Sequence, residues 1–350
     1  MDAASWALAV TLQATPLLFL AWAADRLLAR RVWPQLLQVL WLIALLRFFL
    51  PPDLVSPWSV TEGLGERALA AAEGAPSAGT AGLLGAGWIA GALVLLGLRA
   101  VRRVRLRAQI ERLELPRAWE RALERSVRRG GAPRVPRIGT LVGLASPAVL
   151  GLFRPVLLLP RSWTGRAPAR SDEHALLHEL AHLQRGDLWL DELCACVRAL
   201  VWFHPLVWLA TARIHALGEL GCDQRVARSL GAAAGSYRET LVHAARGLLL
   251  DPEHAGVRSF LGRRNELVLR IAHLERARAP SLARVRVASA ALFLLLAACV
   301  LPMASAASGL RAQAQHVLAA QRSGERQSCF TAHAAALVLA ADPAPPTPEH

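Results

Sequence analysis

The chain is 350 residues long and 54% hydrophobic, with 40 basic against 26 acidic side chains; every basic residue is arginine. It is too apolar for disorder and too long for a disulfide mini-protein, and its five cysteines, an odd number, do not suggest a disulfide framework. A net charge of +14 suggests nucleic acid, but a mean hydropathy of +0.33 is wrong for a soluble basic domain, so apolar residues and arginines must be segregated along the chain.

They are. Ala3 to Ala24 is uncharged over 22 residues, and Val32 to Leu50 is apolar over 19 apart from Arg47. Gly74 to Leu98 is uncharged with its apolar core from Ala81, and Val287 to Leu310 is uncharged over 24 residues. About 20 apolar residues span a hydrocarbon core as a helix, so four spans are predicted. The first run ends in the signal-peptide-like Ala21-Trp22-Ala23, but Met1-Asp2 gives it no basic start, so it is expected to stay uncleaved.

Arginine placement sets the topology. The link after the first run carries Arg26, Arg30 and Arg31 against Asp25, whereas residues 51–80 carry four acids against Arg67. Residues 99–286 hold 32 arginines and 17 acids, and the tail is balanced. The first link and the long middle segment are therefore expected in the cytoplasm, and the acidic loop, both termini and the tail outside, in a multi-pass plasma-membrane protein. Cys194, Cys196 and Cys222 then face a reducing compartment as free thiols.

The third span is expected to continue as a helix to Leu115. Pro116 then opens a second helix that buries Ala118, Trp119, Ala122, Leu123 and Val127 and stops at Gly130-Gly131. The thirteen arginines between Arg99 and Arg137 form a surface for anionic lipid headgroups; without aromatic interleaving, no direct nucleic-acid binding is expected. Residues 134–160 are rich in Val, Ile and Leu and broken by Gly and Pro, which predicts two to four short strands with turns near Gly143 and Gly151. Pro147 and Pro155 favour edge strands, and an exposed edge could hold an extended peptide, although an ordinary packed sheet reads equally well.

Ser171-Asp172-Glu173 starts a further helix. It carries His178-Glu179-Leu180-Ala181-His182, an H-E-x-x-H pattern that puts two imidazoles on one helical face with Glu179 beside them as the base. A catalytic zinc site needs a third ligand. Glu219 lies 37 residues beyond His182, room for a helix, a turn and a returning helix. One turn on, Asp223 could orient a ligand histidine from outside the metal shell. Leu188 to Ala210 is apolar but interrupted by Asp191, Glu192 and Arg198, which predicts a helix packed by the site and grazing the membrane, with a break at His204-Pro205. His204 and Arg213, with His215 and Tyr237 behind them, are candidates to stabilise an oxyanion. His174 reads as an ordinary helix residue and Asp187 as a brace for the following turn.

HELAHLQRGD, WFHPLVWLA and ELGCDQRVA resemble the BlaR/MecR-type membrane zinc peptidases, the beta-lactam sensor-transducers and their relatives. SPAVLGLFRPVLLLP and the four-span pattern share the resemblance, which covers roughly residues 1–310. It implies zinc on His178, His182 and Glu219, catalysis by Glu179, and regulatory proteolysis of a transcriptional repressor. The sensor members carry a penicillin-binding domain after the last span. Here about 40 residues follow Leu310, and without lysine no Ser-x-x-Lys occurs, so the chain itself is not expected to sense beta-lactams.

The expected protein is mostly α, with four transmembrane helices and a cytoplasmic α+β, gluzincin-like zinc-peptidase domain. Three spans lie within 1–101 (about 3–24, 32–50 and 80–100), the peptidase over 102–285, the fourth span over 286–308, and a short tail, disordered at its end, over 309–350. Expected partners are zinc, the membrane, a protein substrate such as a winged-helix repressor, and a second copy in a homodimer. Membrane quality-control proteolysis and a non-catalytic signalling scaffold are the alternative functions.

Overall fold

The computed structural model describes residues 3–29, 32–49, 78–132, 135–250 and 267–275. The fourth predicted span, most of the acidic loop and the tail lie outside the described residues. The described residues fall into two compact units: residues 3–17, 46–49 and 78–82 in one, and residues 18–29, 32–45, 83–132, 135–250 and 267–275 in the other. The functional residues all belong to the second.

Helix α1 spans Ala3–Leu28 and α2 spans Pro34–Leu46, followed by a 3-10 turn over Arg47–Phe49. Helix α3 spans Ala78–Ala108. Among the described residues one helix, Gly82–Ala108 within α3, is long and apolar enough to cross a membrane, while α2 is a shorter apolar helix. The expectation that α3 continues to Leu115 is corrected. It stops at Ala108, and the chain extends into strand β1, Glu111–Arg112, whose partners are Thr140 and Gly139. No glycine or proline marks that stop; pairing with a strand distant in sequence imposes it.

Helix α4, Arg117–Gly130, follows Pro116 and closes on Gly131 at φ 72°, a left-handed cap that glycine adopts without penalty. It buries Trp119, Ala122, Leu123, Ser126 and Val127. Strands β2 (Arg137–Thr140), β3 (Ala148–Leu150) and β4 (Val156–Leu158) complete a sheet in the order β1-β2-β4-β3, with β2 and β4 parallel and both outer pairings antiparallel. Pro147 precedes the edge strand β3, as expected. Pro155 instead precedes the inner strand β4. Its missing N–H costs the ladder nothing because pairing begins at Val156.

Helix α5 spans Arg170–Arg185, α6 Asp187–Leu200, α7 Pro205–Leu230 and α8 Ala234–Leu250; residues 267–275 form α9. The break between α6 and α7 falls at His204-Pro205, with Pro205 in the first turn of α7. Helix α5 is held on two sides. Leu176 and Leu180 join Trp119, Leu123 and Val127 of α4 and Val149 and Leu157 of the sheet. Leu177 joins Val226 of α7 and Tyr237 and Leu241 of α8, against Leu267, Ile271 and Leu274 of α9. This double packing fixes the rotation of α5, and with it the direction of the two histidines between those faces.

Candidate metal centre

Helix α5 starts where Asp172 Oδ2 accepts from the Ala169 backbone N–H at 2.8 Å, while Arg166 pairs with the same carboxylate. Acids in the first turn also suit the helix dipole. The helix ends at Gly186, φ 74°, a left-handed residue that lets α6 begin at once in a new direction. On this helix His178 and His182 lie one turn apart with ring centroids 4.9 Å apart and planes at 87°. Helix α7 returns past them and supplies Glu219. Its Oε2 lies 3.2 Å from His178 Nε2, and its Oε1 lies 3.2 Å from His182 Nε2.

These three side chains offer ligand atoms within 4.8 Å of one another. Bonds of about 2.0–2.1 Å in a tetrahedral zinc shell place neighbouring ligand atoms about 3.3 Å apart. The observed 3.2 Å spacings fit that shell, and two imidazoles with one carboxylate are a donor set zinc accepts.

Behind each histidine sits a carboxylate. Asp223, fully buried on α7, lies 3.3 Å from His178 Nδ1, as the sequence spacing predicts. Asp187, the first residue of α6, lies 2.8 Å from His182 Nδ1. It was expected only to brace the turn; the left-handed Gly186 swings it beneath the ring. Arg185 holds the Asp187 carboxylate through Nε at 3.2 Å and donates to Gln38 Oε1 of α2 at 2.7 Å. The Arg185 guanidinium lies over Gly221 of α7, where an added Cβ would collide with Nη1.

Three further neighbours complete the surroundings: Tyr237 and Cys222, which the sequence offered in other roles, and Arg270, which carries no local signal. The Tyr237 hydroxyl donates to Asp223 Oδ1 at 2.6 Å and lies 3.2 Å from His178 Nδ1, on the side away from Glu219, where it supports the histidine. Cys222 Sγ lies 3.3 Å from Asp187 Oδ2 and 3.4 Å from His182 Nδ1. Arg270 of α9 grips Asp223 with two bonds of 2.7 Å. Its Nη1 is 3.2 Å from Glu219 Oε2 and its Nη2 is 3.4 Å from His178 Nε2.

The electrostatics follow from these contacts. Burial works against charged imidazoles, but Asp223 and Glu219 around His178, and Asp187 and Glu219 around His182, outweigh it and raise both histidines above their ordinary value. Burial would raise Glu219 as well; the two histidines and Arg270 hold it far below the usual carboxylate range. Burial likewise opposes the Asp223 charge, yet His178 and Arg270 bring its carboxyl down to about 2. Glu179 is the exception. For it burial prevails, and its carboxyl is raised, as suits a group that takes up a proton.

The four oxyanion candidates do not join this cluster in a catalytic position. Arg213 forms a two-pronged pair with Asp25 of α1, at 2.6 and 3.0 Å, six residues before Glu219. His204 lies buried just before α7, fifteen residues or about 22 Å along the helix from Glu219. His215 pairs with Asp191 at 2.9 Å, and Tyr237 is occupied as above. His174 hydrogen-bonds Thr240 Oγ1 at 2.8 Å, in keeping with an ordinary helix residue.

Comparison with known proteins agrees with this geometry. The chain is 31% identical over 87 residues to the regulatory protein BlaR1 of Bacillus licheniformis, a quarter of its own length. It is 27% identical over 85 residues to the methicillin resistance mecR1 proteins of Staphylococcus aureus and Staphylococcus epidermidis. Each matched stretch spans 14% of the relative. The family model of the BlaR1 peptidase M56 matches residues 60–274, well over half of the chain, and with it the whole helical cluster around His178, His182 and Glu219, so the protein belongs to this family of membrane-associated metallopeptidases.

Proposed function

We propose that the chain is an integral membrane zinc metalloendopeptidase that cuts a cytoplasmic protein in transmembrane signalling. The observation that carries the reading is Glu219 standing 3.2 Å from the Nε2 of both histidines of the H-E-x-x-H helix. His178, His182 and Glu219 would hold the metal, and Asp187 and Asp223 would keep both Nε2 atoms turned towards it. Zinc, when bound, polarises a carbonyl and brings the pKa of a water to about 7. Glu179 accepts the proton of the attacking water and returns it to the leaving amine, a role its raised carboxyl suits. The four-span topology, with the peptidase in the cytoplasm and both termini outside, rests on arginine placement and on α3. A winged-helix repressor is the substrate proposed from the resemblance of HELAHLQRGD, WFHPLVWLA and ELGCDQRVA to the BlaR/MecR-type sensor-transducers. A homodimer and an identified stimulus are not needed for the chemistry.

The test is purification of the full chain in detergent with metal analysis, beside His178→Ala and Glu179→Ala, and mapping of new protein N-termini in cells. About one zinc per chain is expected, lost in His178→Ala and kept in Glu179→Ala, with cleavage absent from both. Unchanged cleavage in cells carrying Glu179→Ala would sink the peptidase reading.

A further inference from the structure

Helices α3 and α6 lie side by side and antiparallel within one unit. At one end Arg99 and Arg103 of α3 both pair with Glu192 of α6, Arg99 at 2.9 Å. At the other end Trp88 Nε1 donates to the Leu200 carbonyl at 2.5 Å, and the Trp202 indole lies so close to Gly91 that an added Cβ would meet it at 2.7 Å. Gly91 and Trp88 are eight and eleven residues inward from Arg99, about 12 and 16 Å down the helix. Glu192 to Leu200 covers the same about 12 Å on α6. The end of α6 and the start of α7 thus stand level with the middle of the apolar part of α3, well past its first arginine.

The side chains there suit oil. Residues 199–212 contain no Asp, Glu, Arg or Lys. Leu200, Trp202, Phe203, Trp208 and Leu209, five large apolar side chains within ten residues of the corner, are 36–46% exposed. The nearest paired acids and their partners on α6 and α7 lie eight to ten residues back from the corner: Glu192 with the α3 arginines, Asp191 with His215, and Arg213 with Asp25 of α1. Arg198 is the one charge on the approach, and its guanidinium covers the Trp208 ring at 5.4 Å. Such a cation is partly shielded by the aromatic face and can reach back to the surface.

The backbone is provided for as well. A helix ending in hydrocarbon leaves carbonyls that no water can reach. Here Leu200 O accepts from Trp88, Trp202 O from Trp208 Nε1 at 2.9 Å, and Val201 O from the His204 N–H at 3.0 Å. Two indole donors spent on the carbonyls of one corner meet the need of a turn away from water.

We infer that the α6–α7 corner is a re-entrant hairpin, which enters the cytoplasmic leaflet beside α3 and turns back near mid-membrane, with Leu200, Trp202, Phe203, Trp208 and Leu209 against acyl chains. A hydrocarbon core about 30 Å thick makes the reach of about 12–16 Å a turn near the centre and not a crossing. Glu219 accordingly returns to the same side as His178. The inference rests on α3 crossing the bilayer; lipid is the occupant because the corner packs on Trp88 and Gly91, inside the apolar and largely exposed stretch of α3.

The full chain is reconstituted in liposomes containing a phospholipid with a photoreactive diazirine on its acyl chain, irradiated, digested and mapped by mass spectrometry. Lipid adducts are expected on residues 83–98 and on 200–209, and not on α4. Adducts on 83–98 with none on 200–209 overturn the hairpin while leaving the span intact. Absence of adducts from 83–98 overturns the span and the hairpin together. As a second measurement, Phe203→Cys in nanodiscs is expected to resist a charged maleimide until detergent is added, whereas Val142→Cys reacts at once. Equal reaction of the two, or a disulfide between copies of the Phe203→Cys chain in place of lipid adducts, overturns the inference.

Discussion

Asp187 stands behind His182, with its Oδ2 2.8 Å from the ring Nδ1, on the opposite side of the imidazole from Glu219. A carboxylate in that place fixes both the tautomer and the direction of the ligating nitrogen. Asp187→Ala is therefore expected to weaken zinc binding about 10- to 100-fold, read as a dissociation constant against a competing chelator. Parent-like affinity would reduce Asp187 to a brace for the turn.

Arg270 puts a permanent positive charge 3.2 Å from Glu219 Oε2 and 3.4 Å from His178 Nε2. A divalent cation must share that ground. Arg270→Gln is expected to raise zinc affinity. It is also expected to destabilise the metal-free protein by about 3 kcal/mol, because the buried Asp223 loses its partner. Zinc titration and thermal unfolding of the same preparations separate the two effects. Weaker zinc binding would show that Arg270 serves to aim the ligands.

Gly221 faces the Arg185 guanidinium, which is tied to Asp187 and Gln38 and so cannot simply swing aside. Alanine is the better helix former by about 1 kcal/mol, yet overpacking here costs about 1–3 kcal/mol. Gly221→Ala is expected to lower the unfolding temperature and to weaken zinc binding through Asp187. A gain in stability would mean that Arg185 is not needed where it lies.

Glu192 joins α6 to α3. Burial opposes its charge, but Arg99 and Arg103 outweigh that and hold its carboxyl below the ordinary value of 4.5. Its contribution to stability is thus complete above about pH 4.5 and is lost as the pH falls further through the lowered value. The pair is partly exposed, so less than about 1 kcal/mol is at stake. In detergent, the difference in unfolding temperature between the parent and Glu192→Gln is expected at pH 7 and should shrink towards pH 3. A difference that grows on acidification would contradict the assignment.

The site was legible as far as one helix and one spacing carried it. His178, Glu179 and His182 follow from helical periodicity, and Glu219 and Asp223 from a returning helix with the same four-residue interval. Asp187 was in view only as a brace for the turn, and its further contact with His182 was hidden because a glycine with positive φ redirects the chain and no hydropathy pattern records φ. Arg270 and Tyr237 lie far along the sequence and enter through the packing of α8 and α9 on α5. The three strands within 134–160 and their turns were legible, but β1 at Glu111–Arg112 and the strand order were not, which is why Pro155 was misplaced. The overlong α3 has a similar cause: its arginines are good helix formers, and only pairing with β2 ends the helix at Ala108.

Helix α6 begins with the carboxylate that aims His182 and ends among the side chains assigned to lipid, with no break over its 14 residues. It is a strut of about 20 Å. Bilayer thickness and ligand geometry are thereby written onto a single lever arm, so that a thinner or thicker membrane, pressing on Trp202 and Phe203, would be felt at the imidazole of His182.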